Sequence, residues 1–143
     1  MPDGIDFSKV RVNIEEETHE LYQKYTKDAG ENLASQPFKD MPDMFVTAVC
    51  MGLSANTYRE IPSGKRKDIL VGFSLKDHHT AVLLSVAYRH TGDMEVISSA
   101  KDTMRICEAY ANGGVRILSD ILVSHEGLEP LYRFSGYVSR ELG

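Results

Sequence analysis

The chain has 143 residues, 42% apolar and 26% charged, with a net charge of −5 when histidine is neutral. This length favours a single domain, 1–143, able to bury a core without staples, and the composition is that of an ordinary soluble globular protein. The acidic balance argues against general nucleic-acid binding but leaves room for a local basic patch.

In chain order, residues 1–8 form a loose start. Lys9-Val10-Arg11-Val12-Asn13-Ile14 alternates strictly, with Val10, Val12 and Ile14 on one face and Lys9, Arg11 and Asn13 on the other. Period two predicts a short strand. No later segment is an obvious partner for it, and an unpaired edge is a liability, so pairing with the same strand of a second copy is expected. Asn13 and Glu16 fit a loose capping box for a helix from about Ile14 to Ala29, ended by Gly30. Glu15, Glu16 and Glu17 then suit the positive end of the helix dipole as a solvated acidic run.

A polar loop with Pro37 follows. Asp40 can cap the next helix, with Pro42 in its first turn. That helix, about Met41 to Leu53, carries Met44, Phe45, Ala48, Val49 and Gly52. It is apolar nearly all round and should be central. Residues 54–73 are the least regular. Pro62-Ser63-Gly64 marks a turn, Lys65-Arg66-Lys67 is the one basic cluster, and Ile69-Leu70-Val71 is a short strand or an extended packing segment.

Ser74 or Lys76 opens a helix through about His90, with Ala81, Leu83, Leu84, Val86 and Ala87 as its core face. Thr91-Gly92-Asp93 ends it. A short helix near 93–97 precedes Ser98 or Ser99, either of which can cap a long helix over 102–123. Its stripe runs Met104, Cys107, Tyr110, Ala111, Gly114, Ile117, Leu118, Ile121 and Leu122. Gly113 and Gly114 each cost about 1 kcal/mol relative to alanine in a helix interior. The stripe nevertheless keeps its phase across them, which predicts one continuous helix with Gly114 admitting a close neighbour. A last helix starts near Glu129 with Pro130 in its first turn and carries Leu131, Phe134, Tyr137 and Val138. The fold class is mostly α: a compact helical domain of about five main helices and one short N-terminal strand, with a 9–53 strand-helix-helix unit and a helical remainder over 74–142.

Four constellations bear on chemistry. The first is the strand, with Lys9, Arg11 and Asn13 on its outer face. A short alternating strand followed by two helices resembles the ribbon-helix-helix proteins, in which two copies pair their strands and outward side chains read bases in the major groove. Arginine suits guanine and asparagine suits adenine. Asp40 and Asp43, however, stand where that family seats a phosphate on the second helix N-terminus, and carboxylates repel phosphate. The second is Lys65, Arg66 and Lys67, either a solvated loop or a contact for phosphate or an acidic partner. The third is the histidines: His78-His79 are adjacent and point apart on a helix, the others are isolated, and no metal-ligand spacing occurs, so no metal is expected. Cys50 and Cys107 both fall on apolar helical stripes and are expected as buried thiols. The fourth is catalysis by other routes. No phosphate-binding loop, Gly-x-Ser-x-Gly, dinucleotide fingerprint or acid-x-Lys step is present, which argues against an enzyme acting alone and gives no catalytic residue and no cofactor.

No apolar run approaches the ~20 residues of a membrane span. The N-terminal Met-Pro-Asp-Gly-Ile-Asp lacks the basic and apolar regions of a signal peptide, so a cytoplasmic protein without membrane contact is expected.

Two blocks, residues 37–52 from Pro37-Phe38-Lys39-Asp40-Met41-Pro42 to Gly52, and 108–118 around Tyr110-Ala111-Asn112-Gly113-Gly114, resemble a small protein family associated with bacterial DNA phosphorothioation (dnd) systems. The likeness spans about residues 10–125, and its most specific part is Tyr110 to Gly114. The resemblance implies a role beside enzymes that modify or restrict DNA; with the missing catalytic sets, it leads to the expectation of a non-enzymatic accessory or regulatory protein of a DNA modification and restriction or anti-phage defence system. This chain is expected to act as an oligomer through contacts with other proteins of the system. The alternative is a ribbon-helix-helix-type DNA-binding regulator using the N-terminal strand, with Lys65, Arg66 and Lys67 as further DNA contacts.

Overall fold

The molecule is built around one helix, α4, Ala100–Leu122. The computed structural model describes residues 6–26, 37–71, 74–123 and 130–142. Before α4 come β1 (Arg11–Glu15), a 3-10 turn at Glu16–Thr18, α1 (His19–Tyr25), α2 (Met41–Ser54), β2 (Arg66–Val71), α3 (Asp77–Thr91) and a 3-10 turn at Met94–Ser98; α5 (Pro130–Leu142) follows it. The mostly helical class with a strand near the N-terminus is as the sequence predicts. The expected stop at Gly30 and the 124–127 turn lie outside the described residues.

The local signals behind α2, α3 and α4 act as expected. Asp40 accepts from the N–H of Asp43 at 3.0 Å at the start of α2, and Ser99 accepts from the N–H of Asp102 at 3.1 Å at the start of α4. Each satisfies an N–H that the helix leaves unpaired. Gly92 ends α3 at φ 70°, the left-handed conformation a glycine adopts without Cβ strain. On α3 the buried residues are His79, Leu83, Val86 and Ala87, whereas Ala81 is exposed. Cys107 is buried, but Cys50 is exposed rather than a core thiol.

The N-terminal strand corrects the reading most. It finds its partner inside the chain: β1 pairs antiparallel with β2, Arg11 opposite Val71 and Glu15 opposite Arg66, with a register shift between Val12 and Asn13. The reason for expecting a second copy at this strand is thereby removed. The segment Arg66-Lys67-Asp68-Ile69-Leu70-Val71 lacks strict alternation, so only its apolar half advertised a strand. Asn13 lies within β1 and caps no helix. The first helix starts at His19 and ends at Tyr25, where Thr26 turns extended (φ −103°, ψ 145°) and bridges Phe38.

The acidic run also differs from a solvated face. Glu15 is buried. It accepts from Asn112 Nδ2 at 3.0 Å and lies 3.3 Å from Arg116. Arg116 also donates to Glu17 at 2.9 Å, and Glu16 pairs with Lys65 at 3.6 Å. A buried carboxylate is tolerable when it is paired and hydrogen-bonded, and here the pairing ties β1 to α4.

A single hydrophobic cluster joins Phe7, Val12, Ile14, Tyr22, Tyr25, Phe45 and Val49 to Leu83, Val86, Met104, Cys107, Leu118 and Leu122. Each such side chain taken fully from water contributes about 1.5–3 kcal/mol. Phe134 of α5 meets Phe38 edge-on, ring centroids 5.7 Å apart.

The main packing is α2 on α4, and α4 is continuous across Gly113 and Gly114. A Cβ on Gly114 would lie 1.8 Å from the Ala48 carbonyl oxygen and 2.6 Å from the Gly52 nitrogen. A Cβ on Gly52 would lie 2.0 Å from the Tyr110 carbonyl oxygen. The two backbones are therefore in contact, and only glycine permits it. Gly113 serves a different neighbour: its Cβ would lie 1.9 Å from the carbonyl oxygen of Thr57, in the loop after α2.

Candidate functional site

The polar face of α4 supplies the floor of the site. Lys101, Arg105 and Glu108 recur at steps of four and three and so lie along one side of the helix. Lys101 and Arg105 are exposed, while Glu108 is buried. β1, β2 and the 58–61 loop border this face. Two adjoining cavities result, of about 370 and 300 Å³, sharing Arg66, Lys101, Arg105 and Glu108. The first extends to Tyr58, Glu60 and Ile61. The second extends to Lys9, Val10, Arg11 and Asn13. Together they form a groove with five cationic side chains, Lys9, Arg11, Arg66, Lys101 and Arg105, against three carboxylates, Glu60, Asp102 and Glu108. That balance is positive in a chain that is negative overall.

One of those carboxylates is committed to structure. Glu108 accepts the Asn13 N–H at 2.7 Å and forms an ion pair with Arg66. Burial pushes the Glu108 carboxyl above its ordinary range, against the opposing pull of the Asn13 N–H, Arg66 and Arg105. The pair fixes the Arg66 guanidinium, a rigid fork of donors, in the wall of the groove. Arg11 stands 4.0 Å from Asp68, with both side chains more than half exposed, so this pair holds neither residue firmly. Lys9, Lys101 and Arg105 have no ion pair among the described residues.

At the loop end stands an aromatic group. Tyr58 stacks on His90 with centroids 4.6 Å apart and planes inclined at 22°. It meets the edge of Tyr110 at 5.0 Å. The Tyr110 hydroxyl and His90 Nδ1 share a 2.7 Å hydrogen bond. Tyr58 remains 38% exposed where it lines the cavity. The loop carrying it is pinned to α4: Arg59 donates its N–H to the Ala109 carbonyl at 3.0 Å, and Asn112 Nδ2 donates to the Arg59 carbonyl at 3.2 Å.

Of the six residues predicted to contact DNA, the groove gathers Lys9, Arg11, Asn13 and Arg66. Lys65 is exposed and paired with Glu16. Lys67 is exposed on β2, outside both cavities. Sequence reasoning missed Lys101, Arg105 and Tyr58. The first two left a signal, a four-residue cationic step on the polar face of a strongly amphipathic helix. Tyr58, in an irregular loop, left none.

A second cluster, Asp43, His78 and His79, brings its ligand atoms within 4.8 Å of one another. Its hydrogen bonds count against metal ligation. His79 Nδ1 accepts the Lys76 N–H at 3.0 Å, so Nε2 carries the ring proton and donates it to Asp43 at 2.6 Å. A metal-bound histidine has the opposite arrangement, with its distal nitrogen donating outward. The dyad instead ties the start of α3 to the first turn of α2. Among the described residues no helix is long and apolar enough to cross a membrane.

No curated protein and no solved structure matches the chain. One family model does, over residues 11–133: DNA sulphur modification system-associated protein 4. The match spans the first cavity, the second apart from Lys9 and Val10, β1, the glycine crossing and the start of α5, and it covers most of the chain, so the chain belongs to the DNA sulphur modification system-associated protein 4 family.

Proposed function

We propose that this chain is a non-enzymatic accessory protein of a DNA sulphur modification system that works beside the system's other proteins and holds nucleic acid in the groove over α4. The observation that carries the reading is the convergence of Lys9, Arg11, Arg66, Lys101 and Arg105 on one concave surface of an otherwise acidic molecule. Opposed net charge disfavours indiscriminate binding, while a focused patch of cations displaces counterions from a phosphate backbone. The family's association with DNA sulphur modification supports nucleic acid as the ligand.

A non-catalytic role is supported by how two reactive side chains, His79 and Cys107, are spent. Both nitrogens of His79 are hydrogen-bonded. Cys107 donates to the Leu83 carbonyl at 3.4 Å, and burial holds its thiol far above the thiolate range. The ribbon-helix-helix form of DNA reading finds less support, because β1 already pairs with β2 along one edge. Arg11 and Asn13 serve here as groove residues instead.

The test is a salt series with labelled DNA. If the three cations without ion pairs neutralise about three phosphates, affinity falls roughly 20- to 40-fold between 50 and 200 mM salt. The Lys101→Ala/Arg105→Ala variant, altered only at exposed positions, should bind weakly and show a flatter salt slope. Equal binding by this variant and the wild type, or no binding at 50 mM salt, would sink the reading. A pull-down addresses the accessory role, which is refuted if no modification or restriction protein of the same system is recovered.

A further inference from the structure

We infer that the groove takes a single nucleic-acid strand rather than a duplex, with phosphates on Arg66, Lys101 and Arg105 and one unstacked base against Tyr58. This rests on the nucleic-acid reading above and narrows it to a class of ligand.

Three observations carry it. The first is shape. The cations line a cleft whose two cavities measure about 370 and 300 Å³, bordered by β1, β2 and the 58–61 loop. A duplex carries its phosphates on a broad cylinder and is read by an element that protrudes into its groove. β1 is not free to enter a groove as such an element: it buries Val12 and Ile14 and is joined to α4 through Asn13 and Glu15. A single strand is flexible enough to lie in such a cleft.

The second is the aromatic at one end. Sequence-tolerant strand binding combines a cationic track for the backbone with aromatic rings on which bases stack. Tyr58 lines the same cavity as Arg66, Lys101 and Arg105. Its ring is held from behind by His90 and Tyr110, and its loop is anchored through Arg59. A ring fixed before binding loses little freedom on receiving a base. The Tyr58 hydroxyl has no hydrogen bond among the described residues that would account for tyrosine at this place.

The third is the spread of the cations. Lys101 and Arg105 project from adjacent turns of α4, and Arg66 is oriented by buried Glu108. These three line both cavities, while Lys9 and Arg11 line the second alone, so the cations extend over two adjoining cavities rather than one. Such a spread suits successive phosphates of a strand.

The experiment is fluorescence anisotropy with a labelled strand of roughly 12 nucleotides, within the site size of single-strand binding folds, and with the blunt duplex of the same sequence. The strand should bind at least tenfold more tightly than the duplex. Tyr58→Leu should weaken strand binding about 5- to 100-fold, Tyr58→Phe should restore it, and Arg105→Ala should weaken it with a flatter salt slope. Circular dichroism verifies that each variant is folded, and Arg105→Ala, at an exposed position, keeps the test informative if Tyr58→Leu disturbs its loop. Two results separate this inference from its parent. Duplex binding equal to or tighter than strand binding, or strand binding that responds to Arg105→Ala but not to Tyr58→Leu, overturns the single-strand site and leaves the nucleic-acid reading standing. Failure of both probes to bind at 50 mM salt overturns both.

Discussion

Replacing a helical glycine by alanine normally stabilises a protein, and Gly114→Ala is expected to do the reverse here. In an exposed helix interior the change is worth about 1 kcal/mol in alanine's favour. At Gly114 the added methyl would lie 1.8 Å from the Ala48 carbonyl oxygen and 2.8 Å from its carbonyl carbon. Both are backbone atoms of α2, so no rotamer change relieves the contact. Relief requires α2 to move away from α4 by more than an ångström, loosening Met44, Phe45, Ala48 and Val49, all fully buried. Overpacking a core costs about 1–3 kcal/mol, and a backbone clash belongs at the upper end. The net loss is about 2 kcal/mol, or roughly 4–8 °C in melting temperature for a domain of this size. The internal control is Gly136 in α5. There a Cβ meets only Arg140 Nη1, at 3.6 Å, so Gly136→Ala should stabilise by up to about 1 kcal/mol. The measurement is urea denaturation of both variants beside the wild type. If the two substitutions shift the midpoint the same way, the close approach of α2 to α4 is not what Gly114 is for.

Three further outcomes are expected. Asn112→Ala removes donors to Glu15 and to the Arg59 carbonyl; leaving buried acceptors underserved costs about 1–3 kcal/mol, and an unchanged denaturation midpoint would contradict the structural role given to this residue. Asp40→Ala removes the cap on Asp43 N–H and should cost about 1 kcal/mol, read from the same denaturation curves; a cost below experimental error would mean that water replaces the cap. For Glu108 the sign follows from its raised carboxyl, whose first cause is burial. A folded-state pKa above the unfolded one makes the folded chain the tighter proton binder, so Glu108 contributes stability that is complete below pH 4.5 and is lost as pH rises through its folded pKa. Glu108→Gln lacks that loss. Its stability relative to wild type should therefore improve as pH rises from about 4 towards neutrality, and a difference that is flat or runs the other way in parallel melts at each pH would refute it.

How much of this was legible in the sequence depends on whether the signal was local. The caps at Asp40 and Ser99 and the stop at Gly92 act within one helical turn, and each was visible. The continuity of α4 was visible because its stripe held phase through Gly113 and Gly114. β2 was visible only in Ile69-Leu70-Val71, and its pairing with β1 not at all, since the partners lie 51 to 60 residues apart and its charged half hid the period of a strand. Glu15 was misjudged for a related reason. Three consecutive glutamates look solvated, and only the approach of Asn112 and Arg116 from far along the chain makes burial of one of them tolerable. The groove was half visible. Lys9, Arg11, Asn13 and Arg66 could be nominated from pattern, but nothing local says that Lys101 and Arg105 face the same cleft. Tyr58 gains its role wholly from the tertiary contacts that hold its loop.

The block from Ala109 to Gly114 connects packing to the groove, residue by residue. The Ala109 carbonyl takes the Arg59 N–H, Tyr110 bonds the His90 on which Tyr58 stacks, and Asn112 holds both the Arg59 carbonyl and the Glu15 carboxylate. Gly113 lets the chain at Thr57 lie against α4, and Gly114 lets α2 do the same. Ala109 also lines the first cavity, but the others act from behind, setting where the Tyr58 loop and β1 stand relative to Lys101 and Arg105. A packing motif placed this way can fix a binding surface while contributing little chemistry to it. It follows that conservative changes at Asn112 or Gly113 should disturb the groove's shape more than its charge. Such variants would lose affinity without losing salt dependence, the inverse of what Lys101→Ala and Arg105→Ala should show. That contrast separates residues that shape the groove from residues that engage its ligand, a distinction the sequence alone could not draw.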